Sequence, residues 1–347
     1  MTLQPPDWAF TGSWTRFSTV DAHTAGEPFR VVTSGWPPLP GESIVARRRY
    51  AIDHHDHLRR ALMWEPRGHA DMYGCVITPP VSQEADVGVL FMHNEGFSTM
   101  CGHGIIGLVT VLLETRMLPP REPETPVAID TPAGLVRARA AVSAGRVPSV
   151  TFLNVPSFVL VADRLVEVAG LGAVRVDVAF GGAFYAYVRA EDLGLTCTPG
   201  DLPALVAVAA RIKAAVSATI PIVHPFEPEL SFLYGVVFHA PASSAGADIR
   251  NVCVFADGEV DRSPTGTSVS AQLALLHARR SLGIGERLVF ESILGTRFGG
   301  RVTETTTFGP HAAVVPEVEG TAHLTGRHEF VLDPEDALAG GFLLHGG

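Results

Sequence analysis

Two stretches of this chain match without a gap 164 positions apart (101 to 265). Cys101-Gly-His-Gly-Ile-Ile-Gly-Leu-Val-Thr-Val-Leu-Leu113 lies over Thr265-Gly-Thr-Ser-Val-Ser-Ala-Gln-Leu-Ala-Leu-Leu-His277, at an offset close to half of the 347 residues. In each, a small polar or thiol residue precedes glycine, and an apolar helix rich in small residues near its start follows. This predicts an internal duplication of two similar halves, each burying a central helix whose amino terminus faces the other half. A chance match is the alternative.

The 26 prolines and 35 glycines cut the rest into short segments. Residues 87–92, 149–153 and 301–305 read as strands, and 56–64, 104–117, 202–217 and 268–281 as helices with apolar residues at three- and four-residue spacing. Many strands and few helices predict an α+β fold rather than a doubly wound sheet. A crossover near Val155-Pro-Ser-Phe158 divides the chain into a first half, 1–155, carrying Cys101, and a second, 156–329, carrying Asp261 and Thr265. The tail, about 330–347, is expected to return to the first half.

With 46% hydrophobic and 18% charged residues the chain has ample apolar surface to bury. Its 36 acidic against 26 basic residues, a net charge of -10, argue against a nucleic-acid or anionic-membrane surface, so an anionic ligand must be held by local donors. Met1–Phe10 lacks a basic segment followed by an apolar one, and no run of about 18 apolar residues occurs. Cys75, Cys101, Cys197 and Cys253 lie far apart with no C-x-x-C pair, which indicates neither a disulfide framework nor a zinc site. A cytoplasmic protein with no metal is expected.

A thiol at a helix start sits by the positive end of the helix dipole and beside unpaired N–H groups, which lower its pKa. Cys101 is placed that way, and the backbone N–H groups of Gly102 and His103 could cradle a carboxylate. Gly266 and Thr267 repeat that cradle. Converging helix starts would delocalise charge developing at the α-carbon of a bound carboxylate, so the pattern points to proton removal beside a carboxylate. Taken singly each residue also has a plainer reading: Cys101 as a buried small hydrophobe, His103 as a structural histidine, Asp261 as a turn or capping residue, Thr265 as an N-cap. Asp53-His-His-Asp-His57 reads as a solvated helix start, Arg47-Arg-Arg49 as the border of a loop or strand end, and the other three cysteines as structural.

Asp21-Ala-His-Thr-Ala-Gly-Glu-Pro28, Asn94-Glu-Gly-Phe-Ser-Thr-Met-Cys-Gly-His-Gly104 and Asp261-Arg-Ser-Pro-Thr-Gly-Thr267 resemble the proline racemase family. Glu65-Pro-Arg-Gly-His69, Asp71-Met-Tyr-Gly74 and Gly181-Gly-Ala-Phe-Tyr185 resemble further blocks of it, in its order. The resemblance implies the diaminopimelate-epimerase-like fold, two pseudo-symmetric halves with the active site between them. It also implies cradle roles for Gly102, His103, Gly266 and Thr267, amine contact by Asp261, aromatic walls from Tyr73 and Phe255, and no cofactor. Racemases and epimerases of the family carry cysteine at both helix starts; here the second is Thr265, whose hydroxyl is far too weak an acid or base to mirror a thiolate. The Cys/Thr pair is similar to that of the family's trans-3-hydroxy-L-proline dehydratases and implies dehydration to Δ1-pyrroline-2-carboxylate. Two other readings stand beside it: a racemase or epimerase using a water held by Thr265, and a non-catalytic imino-acid binder. The partner in each is a small imino acid, and a homodimer is left open.

Overall fold

Ala25 and Gly26 take φ of 52° and 97°, the left-handed geometry of a two-residue hairpin turn, and fold Thr15–Thr24 back onto Glu27–Ser34. This hairpin opens a series in the computed structural model, which describes residues 13–344. The Met1–Phe10 segment and residues 345–347 of the expected tail lie outside them. From Glu27–Ser34 the chain crosses through helix α1 (Ile44–Met63) to a parallel strand, Tyr73–Thr78, turns back along Val87–His93, and crosses through α2 (Gly102–Glu114) to Glu124–Thr131. Two antiparallel strands, Gly134–Ser143 and Arg146–Leu153, complete the series.

The order then repeats. Gly172–Phe180 and Phe184–Arg189 form a hairpin; α3 (Leu202–Thr219) crosses to the parallel strand Leu233–Pro241; Ile249–Phe255 turns back; α4 (Gly266–Ala278) crosses to Arg287–Glu291; Arg297–Phe308 and His311–Gly320 finish. Each series is closed by the strand that follows the other. Ala322–Leu332 runs antiparallel to Thr15–Thr24, and Ser157–Val168 runs antiparallel to Gly172–Phe180. Pairing of the returning chain thus starts at Ala322, upstream of residue 330, and the tail adds a bridge between Phe342 and Glu65. The architecture is α+β, strand-rich, with two helices wrapped by strands.

Those two are α2 and α4, equal in length and starting 164 positions apart (102 to 266). Every residue of α2 from Gly102 to Leu113 is buried, as is α4 from Gly266 to Leu275; a helix apolar all round belongs inside a core. Burial of side chains such as Ile105, Ile106, Leu108 and Val109 stabilises by about 1.5–3 kcal/mol each. By contrast α1 and α3 lie outside with one buried stripe each. That of α3 is Leu205, Ala209, Ile212 and Val216, so although this helix is long and apolar enough to cross a membrane, it packs on the strands instead.

Sequence and structure differ at α1. The helix begins at Ile44, where the Ser43 hydroxyl accepts the Ala46 N–H at 3.1 Å, not at residue 56. Asp53–His57 therefore lies mid-helix rather than at a helix start, and Arg47–Arg49 forms the early helix rather than a loop or strand border. The cap outweighs the charge run because it satisfies an otherwise unpaired N–H group of the first turn.

The two buried helices meet at their amino termini with no side chain between them. A Cβ added at Gly102 would lie 2.5 Å from Gly266 Cα, and one added at Gly266 would lie 2.7 Å from Gly102 Cα. Gly102→Ala is expected to cost about 1–3 kcal/mol of stability through overpacking, read as a lower urea midpoint. An unchanged midpoint would mean that the backbones do not approach this closely.

Candidate active site

Cys101 and Thr265, the residues that precede the two glycines, face one cavity together with Tyr73, Met100, His103, Tyr185, Tyr234, Phe255 and Asp261. The void is about 10 Å³, scarcely room for one water. A pyrrolidine ring enters only if the two sides part.

The two helix starts are not equivalent. Cys101 occupies the N-cap of α2 in extended backbone, and its Sγ accepts the Gly104 N–H at 3.1 Å. Thr265 occupies the N-cap of α4, as its plain sequence reading has it, but at φ 63° and with a side chain that makes no capping hydrogen bond. A β-branched residue at positive φ is strained. Its Oγ1 is buried without a hydrogen-bond partner, although the Cys253 thiol lies near enough to feel it. The N–H groups beyond Gly104 enter their helices, so those of Gly102, His103, Gly266 and Thr267 remain at the junction of two dipoles.

Charge is arranged behind this cradle. The His103 ring stands 3.3 Å from Cys101 Sγ through Nε2, while its Nδ1 is 3.3 Å from Asp261 Oδ2. Asp261 Oδ1 accepts the Ser263 N–H at 2.7 Å, so this residue does serve its turn as well as face the cavity. Burial pushes the Cys101 thiol above its ordinary value, and His103 and the Gly104 N–H pull against that shift. The helix start alone therefore does not lower this thiol, which corrects the sequence expectation: full desolvation outweighs the dipole. Burial also works against charge on His103, but the sulfur and Asp261 together lift the imidazole to about 10. Asp261 is held below its usual value despite burial, chiefly by His103. The ring of His103, and not only its backbone N–H, thus contacts both Cys101 and Asp261.

Tyr73 and Phe255, expected as walls, both line the cavity and meet edge-on, with ring centroids 6.0 Å apart. Tyr73 Oη pairs with Ser98 Oγ at 2.5 Å, and its ring meets His103 edge-on at 4.7 Å. Sequence reasoning gave no role to Tyr185, Tyr234, Met100, Glu27 or the His93–Glu259 pair. Tyr185 Oη bonds Thr267 Oγ1 at 2.7 Å and fixes the start of α4. Glu27, inside a motif block already singled out, is fully buried and accepts the Arg262 N–H at 2.6 Å, tying the two series together behind Asp261; burial and Asp261 raise its pKa well above normal. His93 Nδ1 and Glu259 Oε1, 2.7 Å apart and both buried, form a second tie. The remaining cysteines are buried, with pKa values raised by burial and in Cys197 pushed up to about 12. Among the described residues no group of three or more His, Cys, Asp or Glu could hold a metal ion.

Comparison with known proteins adds to this geometry. A family model described as proline racemase matches residues 19–343. The chain is 48% identical over 328 residues to trans-3-hydroxy-L-proline dehydratase of Bacillus cereus, covering 94% of this chain and 98% of that protein. To 3-hydroxyproline 2-epimerase of Burkholderia multivorans it is 46% identical over 327 residues, again 94% and 98% of the two chains. Among solved structures, a hydroxyproline epimerase from Agrobacterium vitis with bound trans-4-hydroxy-L-proline superposes with a TM-score of 0.90 at 35% identity, over 96% of each chain.

Iodoacetamide near neutral pH is expected to label Cys101 before Cys75, Cys197 and Cys253, and pyrrole-2-carboxylate, a planar anion, to protect it. His103→Gln removes the cation that favours the thiolate, so labelling should slow and its inflection move to higher pH. Mass spectrometry of the labelled peptides reads both; equal labelling of all four cysteines would remove Cys101 from the site.

Proposed function

The chain belongs to the proline racemase family, and we propose that it dehydrates trans-3-hydroxy-L-proline to Δ1-pyrroline-2-carboxylate with a single thiol working one face of the ring. The observation that supports this reading is that Cys101 and Thr265 line one and the same cavity. One side offers an ionisable group backed by His103; the other offers an alcohol.

The substrate's stereochemistry matches that asymmetry. In trans-3-hydroxy-L-proline the hydroxyl lies opposite the carboxylate, hence on the face of the α-hydrogen. The ring carboxylate accepts N–H groups from Gly102, His103, Gly266 and Thr267, and the ring nitrogen meets Asp261. The Cys101 thiolate takes the α-proton. Negative charge spreading into the carboxylate is stabilised by donors already in place, an effect of about 2.7–4 kcal/mol for a single donor in comparable anion sites. The carbanion's electron pair forms the ring double bond as the C3–O bond breaks. The thiol returns its proton to the departing oxygen, so water leaves and the thiolate is restored. The enamine then tautomerises to the cyclic imine. A cytoplasmic setting suits four unpaired thiols.

The Burkholderia relative named as an epimerase and the unpartnered Thr265 hydroxyl keep a second reading in view, in which a water held by Thr265 returns a proton to the opposite face. Heavy water separates the two. Loss of water from trans-3-hydroxy-L-proline, with an imine that borohydride reduces to proline, supports dehydration; an inverted product labelled at the α-carbon supports epimerisation. Cys101→Ser should lower turnover by at least about 10²–10⁴-fold, the usual worth of a proton-transfer group. Thr265→Cys should install some α-deuterium incorporation with inversion on proline or 4-hydroxyproline.

A further inference from the structure

Two hydroxyls that line the closed cavity lack a hydrogen-bond partner: Thr265 Oγ1 and Tyr234 Oη. A buried polar atom without a partner is costly, and one aimed into a ligand cavity is explained when the ligand completes it. The Tyr234 ring is firmly held. It stacks on Phe255 (centroids 5.4 Å, planes 28° apart) and meets Tyr185 and His93 edge-on at 5.9 and 6.0 Å. Tyr73 Oη pairs with Ser98 Oγ and makes a weaker side-chain interaction with Tyr234 Oη, which leaves the Tyr234 hydroxyl without a partner at full hydrogen-bond geometry.

The substrate presents three polar groups. The helix starts take its carboxylate and Asp261 its amine, which leaves the 3-hydroxyl. That hydroxyl lies on the α-hydrogen's face, the face of Cys101, so the opposing Thr265 cannot serve it. The Tyr234 hydroxyl shares the cavity lining with Cys101, and burial keeps it protonated, so it can donate. Resting on the dehydratase reading, we infer that Tyr234 Oη donates a hydrogen bond to the leaving 3-hydroxyl of the substrate and so selects for a hydroxyl at that ring position. Its own proton is not transferred; the thiol's proton completes the water, as above.

Tyr234 has a second contact that fits this role. The ring also lines a cavity of about 300 Å³ outside the site, together with Arg48, His93, Glu95, Phe97, Lys213 and Phe232. Tyr234 thus forms part of the wall between the site and this larger space.

Tyr234→Phe tests this. Removing an unpartnered hydroxyl should leave the thermal midpoint unchanged or higher, and protection of Cys101 by pyrrole-2-carboxylate, which has no 3-hydroxyl, should change less than twofold. The kcat/KM for trans-3-hydroxy-L-proline should fall at least tenfold. Retained kcat/KM would overturn the assignment, and so would a loss of pyrrole-2-carboxylate protection in step with activity, because the hydroxyl would then be serving the site's shape. A wild-type enzyme that releases no water from this substrate would overturn the dehydratase reading itself, and this inference with it; a wild type that does, beside an unimpaired variant, removes Tyr234 alone.

Discussion

The approach of Gly102 to Gly266 is the constraint on which the rest of the structure turns. Two helices of opposite series point their amino termini at each other with backbone touching backbone. Any side chain there would hold the dipoles apart. Because nothing intervenes, the unpaired N–H groups of both first turns converge on one volume. A chain with one lysine, Lys213, and a net charge of -10 thus gathers backbone donors, in place of ammonium groups, at the spot proposed for the carboxylate. The lysine lies instead on α3, where its Nζ donates to the Ala256 carbonyl.

Dryness decides what the side chains around that junction do. A thiol in a helix's first turn and open to water would be shifted down; Cys101, fully enclosed, is shifted up. Its activation then depends on His103, and the charge of His103 depends on the sulfur and on Asp261. The three groups form one electrostatic unit, drawn from both series. Glu27 and the His93–Glu259 pair bind the sides together around it.

The parts legible in the sequence are those written locally. Cys101-Gly-His-Gly and Thr265-Gly-Thr announce helix starts with small residues, and their repetition pairs them. The parts that were not legible depend on contacts between distant strands. Tyr234 stands in Leu233–Pro241, whose first six residues are all buried, so neither apolar alternation nor any neighbour distinguishes a tyrosine aimed at the cavity from one filling the core. Tyr185, four residues into a block already singled out, and Glu27, at the end of another, were in view, but their burial and partners were not. The start of α1 escapes the apolar pattern for a local reason: a serine cap thirteen residues ahead of it begins the helix, whose first turns run through the basic stretch Arg47–Arg49. The Cys101 pKa was misjudged because a dipole can be read from a helix start, whereas desolvation belongs to the whole fold.

Thr265 shows why the site runs in one direction. Its backbone sits at φ 63°, a conformation that a β-branched residue adopts only when its surroundings impose it. The imposed geometry is that of a helix start delivering N–H groups to the shared cradle, and it is kept although the side chain at that position neither caps nor titrates. In the reaction proposed above, electrostatic stabilisation is drawn from both series and proton transfer from one. A carbanion formed in such a site has no acid on its far face, and its lifetime is resolved on the near face. There it either recaptures the proton it lost or expels whatever leaving group stands beside the thiol. With a hydroxyl at that place, the second outcome forms a conjugated double bond and water, and this turns a scaffold suited to inversion into one that eliminates.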